Sequence, residues 1–291
     1  MPERARSVCL VGKSQSPVAI ATARELAGLV LASGLPLWVE DGLAQQIGQP
    51  PVSTERLRSA DLCVVVGGDG TLLRAARLLG KAEVPIFGVN AGRLGFLTEV
   101  PRDRASALLA RALTGAYQAE RRIKLRVRLV RPAEGGDLCL LEEEVINDAV
   151  INRGALARMV ELRTLIDGTR VSEFRADGII VATPTGSTAY NLAVNGPILM
   201  PSMEGLVVSP ISPHTLTQRP LVISDRAQIT IEVTQAYGEI QLSLDGQSSA
   251  PLQSGDRVEI ERAATYTLLV RNPEVSFFEV LRAKLGWNEQ I

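Results

Sequence analysis

The sequence predicts two domains: an α/β domain built on a parallel sheet, then an antiparallel β domain. Three observations carry this expectation. Over about the first 117 residues, apolar strand-like runs alternate with helically spaced segments, the pattern of a parallel sheet covered on both faces. From about residue 118 the pattern changes to apolar–polar alternation interrupted by turn signals, which marks antiparallel strands with one solvated face. At the end of the chain, Pro273 to Leu285 returns to helical spacing. The expected division is an α/β domain over 1–117 plus 273–291, with a Rossmann-like parallel sheet, and an all-β sandwich over 118–272. The C-terminal helix is expected to return to the first domain.

The elements follow in order. Val8 to Val11 reads as a short buried strand. Pro17 to Ala32 has helical spacing, with Ser16 placed to cap it, Pro17 at the first helical position and Gly34 just past its end. Leu35 to Val39 reads as a second strand, and the polar stretch 41–60, with Pro50-Pro51, as a loop. Leu62 to Val66 is a β-branched run suited to a buried strand. Helical spacing then covers Thr71 to Leu79, stopped by Gly80, and Pro101 to Leu113, stopped by Gly115; Val84 to Val89 is the strand between them. In the second half, IKLRVRLV, VELRTLID, LVISD, QITIEV, EIQLSLDG and RVEIERA alternate apolar and polar residues. Asp167-Gly168, Asp245-Gly246 and Ser254-Gly255-Asp256 supply the turns.

Composition narrows the chemistry. At 291 residues the chain exceeds the roughly 100–200 residues of one domain. Its 31 Lys and Arg nearly balance its 32 Asp and Glu, and aromatics are only 4%. So even a balance gives no field for a polyanion, and nucleic acid and membrane surfaces are not expected partners. No apolar run approaches the roughly 18 residues of a membrane helix, and the N-terminus lacks the long apolar stretch of a signal peptide. Cys9 and Cys63 lie in apolar runs, and the three cysteines, Cys139 included, read as buried reduced thiols of a cytoplasmic protein. His214 is the single histidine. A multi-histidine metal site is therefore excluded within one chain, and proton transfer falls more naturally to carboxylates.

Two glycine motifs compete for attention. Gly12-Lys13-Ser14 follows the first strand and looks like the end of a P-loop, but that motif needs a glycine five residues before Gly12, and position 7 is Ser7. Gly67-Gly68-Asp69-Gly70-Thr71 is stronger. It joins the strand LCVVV to a helix, where glycines let backbone approach a phosphate and the helix start offers unpaired N–H groups. A carboxylate repels phosphate, so Asp69 suggests a task of its own, either accepting a hydroxyl proton or holding a metal. The alternative is that Asp69 caps the helix. The pentapeptide resembles the glycine loop of diacylglycerol, sphingosine, phosphofructo- and NAD kinases, and so indicates phosphoryl transfer without naming the acceptor. Asn147-Asp148 could bind two ribose hydroxyls or could form a bulge or turn. Thr183 to Asn191 packs hydroxyls, Gly and Pro into a loop suited to a nucleotide, with Tyr190 placed to cover a base or a ribose.

The ordered set GGDGT, VNAGRLGFL (Val89 to Leu97), IND, FRADGIIVATPTGSTAYNLAVNGP, SPHTLTQRP ending at Pro220, and LSLDGQ resembles the bacterial NAD kinases. The resemblance runs from about residue 62 to 285. It implies ATP-dependent phosphorylation of the 2′-hydroxyl of the adenosine ribose of NAD, giving NADP. It also implies Mg²⁺ or another divalent cation, a homodimer or homotetramer, and small nucleotides as the partners. By the same resemblance, Asp69 is the general base, with Gly68, Gly70, Thr71 and Arg74 beside it. Asn147 and Asp148 hold NAD hydroxyls and adenine. Arg158, Arg175, Asp177, Thr188, Ala189, Tyr190, Asn191, Leu192, Ala193 and Gln247 line the dinucleotide site. Some relatives carry serine where Ala193 stands. His214 is expected to be structural. Two rivals remain: a lipid kinase sharing the glycine loop, and a dinucleotide-binding regulator without turnover.

Overall fold

A computed structural model describes residues 3–92, 94–154, 159–215 and 217–287. The chain divides into two compact units, Met1–Arg121 with Thr267–Ile291, and Arg122–Tyr266. In chain order the first unit contains β1 (Val8–Gly12), α1 (Pro17–Ala32), β2 (Leu37–Val39), α2 (Asp41–Ile47), α3 (Thr54–Arg58), β3 (Leu62–Gly67), α4 (Asp69–Leu79), β4 (Ile86–Asn90) and α5 (Ala105–Leu113). The strands lie in the order β4-β3-β1-β2, all parallel. Every residue of β1, β3 and β4 is buried, as continuous apolar runs in a sheet covered on both faces require.

The helix signals act as the sequence implies. Ser16 Oγ accepts a hydrogen bond from the Ala19 N–H at 3.3 Å, Pro17 opens α1, and Gly34 follows it at φ 73°. Residues 41–60, expected to be a loop, instead hold the two short helices α2 and α3. In α2, Leu43, Ala44 and Ile47 are buried at helical spacing, and Gly48 ends it in the left-handed region. Helices this short owe their stability to packing rather than propensity, so the polar composition of the stretch hid them. The segment before α5 also differs: Arg102–Arg104 is a 3₁₀ turn and the α-helix starts at Ala105. Near the C-terminus the helix spans Phe277–Leu285, opened by a reciprocal Ser276–Glu279 capping box.

The second unit is a sandwich of antiparallel strands. One sheet has the order Leu221–Ser224, Gly205–Ile211, Gly178–Ala182, Asp148–Arg153, Ile240–Leu244 and Ser248–Leu252. In the other, Thr169–Ala176, Val160–Ile166 and Ile229–Gln235 pair in sequence, the last with Arg257–Val270. Ile151, Ile179, Val181 and Leu242 from the first sheet share one core with Leu162, Ile229, Ile231 and Val258 from the second.

Cys9 and Cys63 are buried opposite each other on β1 and β3. A hydrogen bond with Cys9, then burial, hold the Cys63 thiol well above its ordinary range. Cys139, expected to be buried, is exposed on Leu138–Val145. No helix among the described residues is long and apolar enough to cross a membrane.

Leu162 is fully buried in the sandwich core. Leu162→Ala is expected to lower stability by about 2–5 kcal/mol, and Leu162→Ile by less than about 1.5 kcal/mol. Urea unfolding of the two variants against the parent checks this, and equal losses would contradict a close-packed site.

Candidate active site

The glycine loop is formed by the end of β3 and the start of α4. A Cβ on Gly67 would run into the Thr71 side chain, so that position admits only glycine. Gly68 is the N-cap and offers no side chain, and Asp69 is the first helical residue. Its carboxylate does not cap the helix. Oδ2 accepts a hydrogen bond from Phe96 N at 2.8 Å, and Oδ1 accepts three: Leu97 N at 3.0 Å, Thr98 N at 3.1 Å and Thr98 Oγ1 at 3.1 Å. Thr98 is itself held by Asn90 Nδ2 at 3.2 Å, and Asn90 Oδ1 takes the Gly92 N–H at 2.7 Å. A Cβ on Gly95 would collide with Asp69 Oδ1 and Thr98 Oγ1. The segment can therefore close over the carboxylate only with glycine there. Oδ1 is crowded by three donors while Oδ2 has one, so Oδ2 keeps a lone pair for a hydroxyl proton.

Beside this loop lies a cavity of about 360 Å³ lined by Lys13, Ser14, Gln15, Gly68, Gly70, Thr71 and Arg74. Both terminal nitrogens of Arg74 bond the buried Glu40 carboxylate, and one also donates to the Gly12 carbonyl at 2.8 Å. Glu40 in turn accepts the Gly12 N–H at 3.0 Å. Backbone N–H groups at the start of α4 add a partial positive charge. The cavity thus suits phosphate.

The second unit carries another acidic cluster. Asp148 is 4% exposed. Burial first, then the neighbouring Asp245 carboxylate, push its pKa up to about 7, against the opposing hydrogen bond from the Tyr190 backbone. Asp245 occupies the turn before Gly246 at φ 51°. It accepts the backbone N–H groups of Ile146 at 2.9 Å, Asn147 at 2.7 Å and Asp148 at 3.0 Å. Burial raises the Asp245 pKa, and these three N–H groups work against that. Asn147 Oδ1 is buried with no hydrogen-bond partner, an acceptor left for a ligand. Close against it, Thr183 N donates to the Asn147 carbonyl at 2.9 Å, and a Cβ on Gly186 would strike the same carbonyl.

The remaining expected residues fall into distinct settings. Tyr190 and Ala193 are exposed, while Thr188, Ala189 and Leu192 are partly buried. Asn191 is fully buried and its side chain is engaged within the protein: Nδ2 donates to the Ser187 and Pro197 carbonyls, and Oδ1 accepts from Ser209 Oγ at 2.7 Å. It braces the loop. Arg175 pairs with Glu161 at 2.6 Å and Asp177 with Arg153 at 2.5 Å. Gln247 follows Asp245 in the same turn, its N–H bonded to the Leu244 carbonyl. Arg158 lies outside the described residues. The His214 side chain is exposed, and its backbone N–H donates to the Arg175 carbonyl. Sequence reasoning missed Glu40, Gly95, Thr98 and Asp245. Gly95 stood inside the quoted VNAGRLGFL without a role, and Asp245 read only as a turn residue.

A polar cavity with Lys13 and Arg74 on its wall, beside a tethered carboxylate, is the equipment of a phosphotransferase. Comparison with known proteins narrows that class. Residues 8–117 match the ATP-NAD kinase N-terminal domain and residues 146–272 the ATP-NAD kinase C-terminal domain. An NAD kinase from Geotalea daltonii is 44% identical over 98% of this chain and 100% of its own length, and one from Geobacter sulfurreducens is 42% identical over the same shares. Among solved structures, an NAD kinase from Archaeoglobus fulgidus in complex with ATP superposes with TM-score 0.76 at 26% identity, covering 96% of this chain and 98% of that one. Yeast NADH kinase complexed with NADH has the same fold, with TM-score 0.88 at 24% identity over 100% and 90% of the two chains. The chain belongs to the NAD kinase family. The lipid-kinase alternative falls with that match, because the second unit matches as well as the glycine-loop unit.

The raised pKa of Asp148 has a consequence for stability. The folded chain binds this proton more tightly than the unfolded chain, whose ordinary value is 3.8. The associated stability is therefore complete below about pH 4 and is lost as pH rises through about 7. Asp148→Asn is expected to flatten the fall in Tm between about pH 5 and 8 by a few degrees. Thermal melts without nucleotide measure it, and an unchanged slope would contradict a buried, protonated Asp148.

Proposed function

We propose that the chain transfers the γ-phosphoryl group of ATP to the 2′-hydroxyl of the adenosine ribose of NAD, yielding NADP and ADP. The observation that carries this is the Asp69 carboxylate, tethered by four hydrogen bonds on the turn that also lines the polar cavity. In the proposed step, Asp69 accepts the hydroxyl proton as the ribose oxygen bonds to the γ-phosphorus, and the bond from that phosphorus to the β–γ bridging oxygen breaks. Asn147 and Asp148 hold ribose hydroxyls and adenine, and Tyr190, whose backbone N–H bonds Asp148, lies beside them.

A sugar hydroxyl is a weak nucleophile. A positioned base contributes typically about 10²–10⁴-fold, and alignment with charge neutralisation supplies most of the remainder. Among the described residues no group of three or more His, Cys, Asp or Glu side chains is placed to hold a metal ion. The divalent ion that the family resemblance implies would neutralise charge on the donor's phosphates at the cavity that Lys13, Ser14 and Thr71 line. A homodimer or homotetramer is consistent with Leu221 and Val222, exposed apolar residues on an edge strand. A reducing cytoplasm suits the free Cys9, Cys63 and Cys139.

A coupled assay for NADP formation from NAD, ATP and Mg²⁺ tests the activity. The rival regulator predicts NAD binding with no product. In that assay Asp69→Asn is expected to lower kcat by at least about 100-fold while NAD binding stays near normal. Near-parental turnover would remove Asp69 from the role of base. Gly95→Ala forces the 95–98 segment off the carboxylate, and kcat is expected to fall about 10-fold or more. An unaffected kcat in a folded Gly95→Ala variant would show that the tether does not govern the chemistry.

A further inference from the structure

The Gly12-Lys13-Ser14 motif fails the P-loop spacing, yet its side chains enter the same cavity as the glycine loop. We infer that Lys13, with Ser14 beside it, binds the terminal phosphates of the phosphoryl donor. This deepens the kinase reading above and rests on it.

Charge carries the argument. Two cationic side chains line the cavity, Lys13 and Arg74. Arg74 is already compensated: Glu40, buried behind it, takes both of its terminal nitrogens. Lys13 is exposed and makes no ion pair among the described residues. It is therefore the cavity's uncompensated positive charge, and an ammonium acts on phosphate as a point charge that needs no bidentate geometry.

Position is fixed independently of the side chain. Lys13 N donates to the Val66 carbonyl at 2.9 Å, and Ser16 N donates back to the Lys13 carbonyl at 3.1 Å. One residue earlier, both polar groups of Gly12 are bonded by the Glu40–Arg74 pair. The turn carrying Lys13 is thus pinned beside β3 just before the glycine loop. Lining chemistry names the ligand class: apart from its glycines, the cavity presents only hydroxyl, carboxamide and cationic side chains, with no aromatic or aliphatic wall to stack a base. The cavity reads the phosphate chain and not the base.

The test uses the full-length chain. Lys13→Ala is expected to raise KM for ATP about 10- to 100-fold while KM for NAD changes less than about twofold. Lys13→Arg, which keeps the charge, is expected to restore most of the loss. Calorimetric titration without NAD, using ATP and separately inorganic tripolyphosphate, supplies a readout independent of turnover: the parent binds both and Lys13→Ala loses both to a similar degree. Parallel rises in both KM values, tripolyphosphate binding that survives in Lys13→Ala, or a parent that binds neither ligand would each overturn the assignment. A parent that makes no NADP would sink the kinase reading instead, and the titrations would still decide Lys13.

Discussion

The first unit depends on one carboxylate and the backbone that closes over it. β3 and β4 are parallel and in register, with Gly67 opposite Asn90, so the segments leaving both strands emerge side by side at their carboxyl ends. That is where α/β sheets place their ligands. Asp69 joins the two exits. Its partners lie 27 to 29 residues further along the chain, and each of its four bonds is charge-assisted, the stronger kind. The requirement for glycine at position 95 follows from that closeness: a Cβ there would push apart the two segments that the carboxylate ties together, whereas one at position 67 would strike Thr71 within the turn itself.

The second unit repeats the device with different residues. Asp245 reaches back across 97 to 99 positions to take three successive backbone N–H groups at 146–148. This fixes the turn that presents the Asn147 and Asp148 side chains. Burying two carboxylates together is costly. The cost is offset on Asp245 by three N–H groups, while Asp148 has a single backbone donor. The two acids therefore differ in kind: Asp245 is a structural tether, and Asp148 is the one left with unspent capacity.

Local signals in the sequence located what is local in the structure. The Ser16–Pro17 start of α1, the glycine loop, the buried parallel strands and the period-two strands of the sandwich are all short-range patterns, and each appears where those patterns place it. Patterns that depend on distant partners were hidden. α2 and α3 exist because Leu43, Ile47 and Leu57 find a core to bury against, and nothing within a polar, proline-containing stretch announces that. The Asp245 tether and the Glu40–Arg74 bracket join residues 97 and 34 positions apart, which no spacing rule reaches. Asn191 shows the converse. Its place in a hydroxyl-rich loop suggested a ligand contact, but the loop's own backbone and Ser209 take up its side chain.

A carboxyl group whose pKa lies near 7 is divided between two protonation states in neutral water. Any ligand that prefers one of those states must drive the other toward it. A ligand at the proposed Asp148 contact would therefore exchange a fraction of a proton with the surrounding buffer. The heat released on binding then contains the buffer's own heat of ionisation, and its apparent size changes with the choice of buffer even when affinity does not. With the proposed ribose contact at Asp148, the buried acid pair would link nucleotide occupancy to the proton balance of the medium.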